Sequence, residues 1–312
     1  MISICIPIFN HPVYPLVQSL SEQIATLHAE GEFEIVCIDD HSSEPFRSQN
    51  APISDIATYI LLDDNIGRAR IRNLFLRHSK GEWLLFLDND SEVPNNFLAT
   101  YRKYLNEKWD VIVGGRIYDH RGDDRQHRLR YLYGTRVESR PAVDRYKHPY
   151  KSFMTNNFLI RRSLFEKILF DTRLDHYGHE DTLFGYRLQQ NNIPLLHIDN
   201  PVVNGYVESN DEFLRKTAEG ISSLVTIYRF MSDDRIFLRT VRLLDTYTKL
   251  CRLSLYPLVY CLFKKNKTTL EYRFLSGENI SVHRFNFYKL GLFIQQMHYN
   301  ENKETTNINQ KT

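Results

Sequence analysis

The residues best able to do chemistry are acidic and come in short runs: Asp39-Asp40, Asp63-Asp64-Asn65, Asp88-Asn89-Asp90 and Glu180-Asp181. Asp88-Asn89-Asp90 puts two carboxylates one residue apart, directly after the apolar stretch Trp83–Leu87. Carboxylate oxygens suit Mg2+ or Mn2+, and such a cation neutralises a departing diphosphate as a Lewis acid. A lone Asp-x-Asp is common by chance, but one that ends a buried strand is more telling. Glu180-Asp181 follows Tyr177-Gly178-His179 and opens a helical pattern through Gln190. The helix dipole favours carboxylates at that end, which alone could account for them. The chemical alternative is a general base, held rigidly enough to aim at a reacting centre.

These residues need a scaffold, and the first half of the chain supplies a regular one. Apolar runs predict strands at Ile2–Ile8, Glu34–Ile38, Ala57–Leu62, Trp83–Leu87 and Val111–Val113. Between them, apolar residues near 3.6 spacing predict helices from Pro12 to a stop at Gly31, over Ile66–His78 and over Asn95–Leu105. Further strands are expected at Phe153–Ile160 and Pro194–Ile198, with a short helix Ser163–Ile168 capped by Ser163. Strands separated by helices imply βαβ units and a mostly parallel sheet covered on both faces. In such sheets ligands bind beyond the carboxyl ends of the strands. Three of the acidic runs fall at successive strand ends. Asp and Asn also serve turns and caps, but crowded carboxylates persist most readily where a cation or ligand compensates them.

The 312 residues carry 40 Lys+Arg against 38 Asp+Glu, a net +2, so no global field attracts nucleic acid. Apolar residues make up 42% of the chain, and the 13% aromatic residues are read mainly as core. Cys5 and Cys37 lie in strand-like runs and read as reduced core thiols of a cytosolic protein. The opening MISICIPIFN shows no secretory signal, and Leu253–Phe263 is too short to cross a bilayer.

Two stretches are basic. Residues 118–151 hold nine basic and five acidic side chains, read as a surface excursion that is either solvated or an anion-binding lid. From Asp211 onward long helices dominate, expected at Phe213–Met231 and Ile236–Leu255. Between Arg229 and Arg273, ten Lys/Arg oppose four acids, a net +6, with aromatics interleaved. Core packing explains such aromatics, and so does an interfacial membrane surface.

In order, the runs SICIPIFN, CIDDHSS, DNIGRARIRN, FLDND, FMTNNFLIRR and GHEDTLFGYRL resemble glycosyltransferase family 2 and its GT-A fold, over roughly residues 1–210. The resemblance implies a GT-A-like domain 1–210; the helical patterns beyond it read as a C-terminal extension 211–298, and the polar residues 299–312 as a disordered tail. It implies inverting transfer of a sugar from a UDP-linked donor to an acceptor hydroxyl, in assembly of a surface glycan, with Mn2+ or Mg2+ as cofactor. Carried over by position, Pro7, Phe9, Asp40, Asn65, Arg72 and Asp88 bind the nucleotide, and Asp88 and Asp90 the metal. Asn157 faces the donor sugar, Asp181 is the catalytic base, and Glu180 and His179 contact substrate.

One departure concerns the metal: family members often carry a histidine after the last sheet strand, where this chain has Asn204. His197 nearby reads as a core histidine. Expected partners are a nucleotide-sugar donor and a glycan or lipid-linked acceptor, with no nucleic acid. Expected localisation is cytoplasmic, at the inner membrane surface if the C-terminal region makes peripheral contact there. Two rival readings are a nucleotidyltransferase, which normally has a glycine-rich loop after the first strand in place of PIFNHPVYP, and a non-catalytic nucleotide-sugar binder.

Overall fold

The computed structural model describes residues 1–105, 108–119, 124–174 and 177–309, with side chains as far as His298. The chain divides into two compact units, the first formed by 1–120, 134–175 and 180–206, the second by 121–133, 176–179 and 207–312.

Among the described residues the first unit contains ten strands: β1 (Ile2–Ile8), β2 (Phe33–Asp39), β3 (Thr58–Leu61), β4 (Trp83–Leu87), β5 (Ser91–Glu92), β6 (Val111–Val113), β7 (Arg116–Ile117), β8 (Asn157–Arg161), β9 (Leu195–His197) and β10 (Val202–Asn204). Seven form the central sheet in the order β3-β2-β1-β4-β8-β6-β9. β1, β2, β3 and β4 run parallel, as the continuous apolar runs predict, with Cys5 of β1 opposite both Val36 and Phe86. β8 runs antiparallel between β4 and β6, which the sequence pattern did not foretell. The central strands are buried on both faces. One face packs on the helix Tyr14–Thr26; the other carries Phe75, Phe86, Phe158, Phe165 and Phe184, with the Phe86 and Phe158 rings stacked at 4.9 Å. Cys5 and Cys37 are free thiols within this core.

The chain leaves β1 for β2 on one side and returns to β4 on the other. That reversal places a crevice at the carboxyl ends of β1 and β4, where Phe9 and Asp88 lie. A second, three-stranded sheet, β5-β10-β7, sits beside this edge.

Several expectations are corrected. The first helix ends at Thr26 rather than Gly31, and the short helix Arg162–Phe165 has no side-chain cap, so Ser163 does not cap it. The stretch 118–151 is not simply a solvated excursion. Arg145 is buried and donates to the carbonyls of Val113, Gly114, Ile198 and Arg140 and to His197 Nδ1. His197 Nε2 donates in turn to the Pro149 carbonyl, and burial pushes its pKa down to about 4, so it is a neutral core histidine, as expected.

In the second unit the helices are Arg128–Tyr133, Asn210–Met231, Arg235–Thr240, Arg242–Arg252, Tyr256–Ser276 and Val282–Asn309. The expected helix Ile236–Leu255 is broken at Val241, whose backbone is extended, and Asp234 caps the first piece by accepting from Ile236 and Phe237 N–H. Arg130 is buried against Glu208 at 2.8 Å. The last helix extends into the segment expected to be an unstructured tail. Among the described residues, no helix is long and apolar enough to cross a membrane.

Arg145 tests this account of the fold. Arg145→Met keeps the stem but strands several buried carbonyls without a donor, each costing about 1–3 kcal/mol. The urea unfolding midpoint should fall by the equivalent of about 3 kcal/mol or more; an unchanged midpoint would mean that the arginine does not stitch the strand ends together.

Candidate active site

Most of the functional side chains are positioned by strand ends or helix starts of the first unit. β1 passes through Pro7 and ends at Ile8, and Phe9 beyond it is 49% exposed, an open apolar face at the crevice. Asn89 Nδ2 donates to the Phe9 carbonyl at 3.4 Å, tying the segments after β1 and β4 together. Asp40, buried after β2, accepts from the N–H groups of Ile66 at 2.7 Å and Gly67 at 2.9 Å. Burial pushes the Asp40 carboxyl above the ordinary carboxylate range, against the pull of those two donors. Asp40 therefore braces the loop before the helix Arg68–His78, and only its remaining lone pairs could meet a base. Asn65 Nδ2 donates to the Asp40 carbonyl at 3.1 Å. Gly67 has φ +82, a conformation that favours glycine, at the point where the loop turns into the helix.

That helix delivers Arg72 into the interior, 2% exposed. Its guanidinium donates to Asp88 Oδ1 at 2.8 Å and lies 3.8 Å from Glu180 Oε1; Arg68 approaches the same Glu180 oxygen at 3.4 Å. Glu180 and Asp181 open the helix Glu180–Gln190. Asp88 after β4 and Glu180 at this helix start thus meet at the same buried guanidinium.

Their electrostatics diverge. Burial pushes the Asp88 carboxyl up, but the guanidinium groups of Arg72, Arg68 and Arg116 outweigh it and hold Asp88 below its ordinary range. Asp181 meets burial and the like charge of Glu180, and its pKa is raised to about 7. Thr182 donates to Asp181 Oδ1 through its N–H at 2.6 Å and its hydroxyl at 3.2 Å, fixing that oxygen's orientation.

Asp90 is paired with a residue the sequence reading missed. One terminal nitrogen of Arg116, on β7, donates to both Asp90 oxygens, at 3.1 and 3.2 Å. Burial works against the Arg116 charge, but Tyr118, Asp90, Asp88 and Glu138 outweigh it, so the guanidinium stays charged. The Nε atoms of both Arg72 and Arg116 are buried without a partner.

Asn204 also belongs here. In the small sheet its register partner is Ser91, the residue after Asp90, and Gly205 N–H donates to the Asp90 carbonyl at 2.7 Å. Asn204 Nδ2 donates to the Tyr206 carbonyl, whereas its Oδ1 is buried and unpartnered. An orphaned amide oxygen on the strand paired with the segment after Asp90 is an oxygen donor of the kind a hard divalent cation takes. Among the described residues, no group of three or more His, Cys, Asp or Glu side chains is arranged to hold a metal.

One expectation fails by a single residue. Asn157 is fully buried: Tyr101 OH donates to its Oδ1 at 2.6 Å, and its Nδ2 donates to the carbonyls of Gly115 and Asn200, both at 2.9 Å. It is a brace and has nothing left for a sugar. Its neighbour Asn156 lies in the turn just before β8. Asn156 is buried with both amide atoms unpartnered, and its carbonyl accepts from Asp88 N–H at 3.1 Å. His179 is half-buried with a left-handed backbone, φ +66.

With this geometry in hand, the likeness to known proteins is direct. A family model described as glycosyl transferase family 2 matches residues 3–169, over half of the chain. The chain belongs to glycosyl transferase family 2. Among relatives, an uncharacterized glycosyltransferase of Haemophilus influenzae is 38% identical over 95 residues, covering 29% of each chain. The GalNAc(5)-diNAcBac-PP-undecaprenol beta-1,3-glucosyltransferase of Campylobacter jejuni is 26% identical over 188 residues, covering 59% of this chain and 58% of that one. The chain thus spans less than two thirds of either relative. Among solved structures, the mannosyltransferase PcManGT from Pyrobaculum calidifontis, in complex with GDP-Man and Mn2+, superposes with a TM-score of 0.51 at 15% identity, over 88% of this chain and 85% of that one. This likeness shows the shared fold, the GT-A architecture of family 2.

The Asn156/Asn157 distinction can be measured without any ligand. Asn157→Ala removes a buried group that leaves a hydroxyl and two carbonyls unpaired, and should cost about 2 kcal/mol or more in urea unfolding. Asn156→Ala removes an already unpartnered amide and should change stability by no more than about 0.5 kcal/mol. Equal losses would put both asparagines in the scaffold.

Proposed function

We propose that this chain is an inverting, divalent-metal-dependent transferase that moves a sugar from a UDP-linked donor to an acceptor hydroxyl in surface-glycan assembly. The observation that carries this reading is the opposite tuning of two carboxylates around one buried arginine, Asp88 held low and Asp181 raised to about 7. A base whose pKa lies near the working pH combines an available ionised form with real proton affinity. Asp181 takes the acceptor's hydroxyl proton as the oxygen attacks the anomeric carbon. The attack comes from the face opposite the diphosphate, so one displacement inverts the centre. Arg72 and Arg116, each with an unused buried N–H, present positive charge to the leaving diphosphate. A cation held by Asp90, Asp88 and the Asn204 amide oxygen would add Lewis-acid stabilisation of that leaving group. Pro7 and the open face of Phe9 pack on the nucleotide, Asp40 and Asn65 border it, and Asn156 hydrogen-bonds the donor sugar, with Glu180 toward the acceptor.

The Campylobacter jejuni relative, whose name specifies an undecaprenol-linked acceptor, supports a lipid-linked acceptor for this chain. Free buried thiols at Cys5 and Cys37 support a reducing, cytoplasmic location.

The test is transfer or hydrolysis from a panel of UDP-sugars with Mn2+ present. UDP should be released in a metal-dependent manner, and excess chelator should abolish release. Thermal shift by the donor should report binding separately, since a ligand of the folded state raises apparent stability. Below about pH 7 the Asp181 base is protonated, so log kcat/KM should rise with unit slope and level off above that value. Glu180→Gln removes a like charge and should move the inflection to lower pH. Asp181→Asn should lose ~10²-fold or more in kcat while UDP still binds. Native turnover in Asp181→Asn would move the base elsewhere, and a panel with neither shift nor turnover would overturn donor binding itself.

A further inference from the structure

The helices Arg235–Thr240 and Arg242–Arg252 of the second unit border a small cavity, about 80 Å3, lined by Arg235, Arg239, Lys249 and Arg252 together with Asp245 and Thr248. Four cations thus face one carboxylate. Asp245 is taken by Lys249 at 2.6 Å, which leaves three guanidinium groups at the cavity with no further carboxylate in its lining. Such a concentration of like charge costs free energy unless an anion meets it.

Large apolar side chains stand exposed on both sides of this cluster in the chain. Ile236, beside Arg235, is 65% exposed; Leu253, directly after Arg252, is 66% exposed. The turn at Ser254, with φ +55, leads into the helix Tyr256–Ser276 through the exposed Leu255. On that helix Leu258, Leu262 and Lys265 recur at spacings of three to four residues and are all exposed, forming one solvent-facing stripe. Lys264 lies over the Tyr260 ring at 4.8 Å from its centroid. Exposed leucines next to an anion-hungry pocket match a surface that is apolar just beneath a layer of negative charge.

We infer that this face, Arg235–Lys265, docks on an anionic lipid bilayer, with a lipid phosphate in the arginine-lined cavity and the leucines in the headgroup–acyl boundary. Charge complementarity decides the occupant. Residues Arg229–Arg273 carry a net +6, so a second copy pairing through this face would set like charges opposite one another. An anionic membrane supplies both the missing charge and the apolar layer. None of the residues of this face is among those assigned to transfer, so lipid binding and UDP-sugar turnover are separate readouts, and either can fail without the other.

The experiment is flotation of the full chain with vesicles of phosphatidylcholine alone and with phosphatidylglycerol added. The chain should float with the anionic vesicles and stay behind with the neutral ones, and high salt should release it. Arg239→Gln with Arg252→Gln should reduce bound protein ~10-fold, and Leu253→Ser with Leu258→Ser should do the same. Arg215→Gln, which removes an exposed cation of the helix Asn210–Met231, should float like the unaltered chain. Circular dichroism and the thermal shift by UDP should be unchanged in all variants, since every altered side chain is exposed. Equal flotation of all variants, or none with anionic vesicles, overturns the docking face. So does inorganic phosphate binding without flotation, or a dimer lost in the leucine variant without lipid binding.

Discussion

The buried guanidinium of Arg72 holds the candidate site together. Moving a guanidinium out of water costs several kcal/mol, and the cost is met only where partners surround it. Here the partners come from three places: Asp88 after β4 at 2.8 Å, the Arg68 carbonyl of its own helix at 3.2 Å, and Glu180 at 3.8 Å. Because each belongs to a different element, the charge fixes where the strand end, the helix Arg68–His78 and the helix Glu180–Gln190 meet. Packing of apolar side chains brings these elements near one another; the arginine sets the registry at the point where chemistry is proposed.

The same charge separates the roles of the acids. Arg72 donates a hydrogen bond to Asp88 and acts on Asp181 only at longer range. Asp88 is therefore held toward its ionised form, as suits a ligand or phosphate-orienting group. Asp181 keeps the desolvation penalty and the neighbouring Glu180 charge, and holds its proton until near neutrality. Two carboxylates whose environments push them apart in pKa are how a site divides ligand from base. Adjacency in sequence would not have distinguished Glu180 from Asp181; the geometry does, since Glu180 spends its charge on Arg68 and Arg72.

Much of this was legible in the chain itself. Continuous apolar runs located β1, β4 and β6 to the residue, and the acids at strand ends followed from the rule that parallel sheets bind ligands at their carboxyl edge. What stayed hidden depended on register or on distant pairing. The pair Asn156-Asn157 reads as one polar spot, and only the distant partners Tyr101, Gly115 and Asn200 decide which amide is consumed by the core. Arg116 and Arg145 sit in a polar stretch, where arginine ordinarily means surface. Their partners lie 26 and 52 residues away for Asp90 and His197, respectively, so no local pattern marks them as buried.

The corner around Asp90 shows why such residues matter to the fold as much as to the site. Strands of two or three residues have little stability of their own, and β5, β7 and β10 are all that short. They come from three distant parts of the chain, yet pair as one sheet, Asn204 against Ser91 and Val202 against Arg116. The Arg116–Asp90 ion pair joins β7 to the segment entering β5, and the Gly205 N–H to Asp90 bond joins β10 to the same segment. The carboxylate read from sequence as a metal ligand is thus also a structural member of the sheet that carries it. Anything that draws charge from Asp90 competes with its hold on Arg116, so the tie between β7 and the segment entering β5 depends on that one carboxylate, while β10 is tied through the Asp90 backbone.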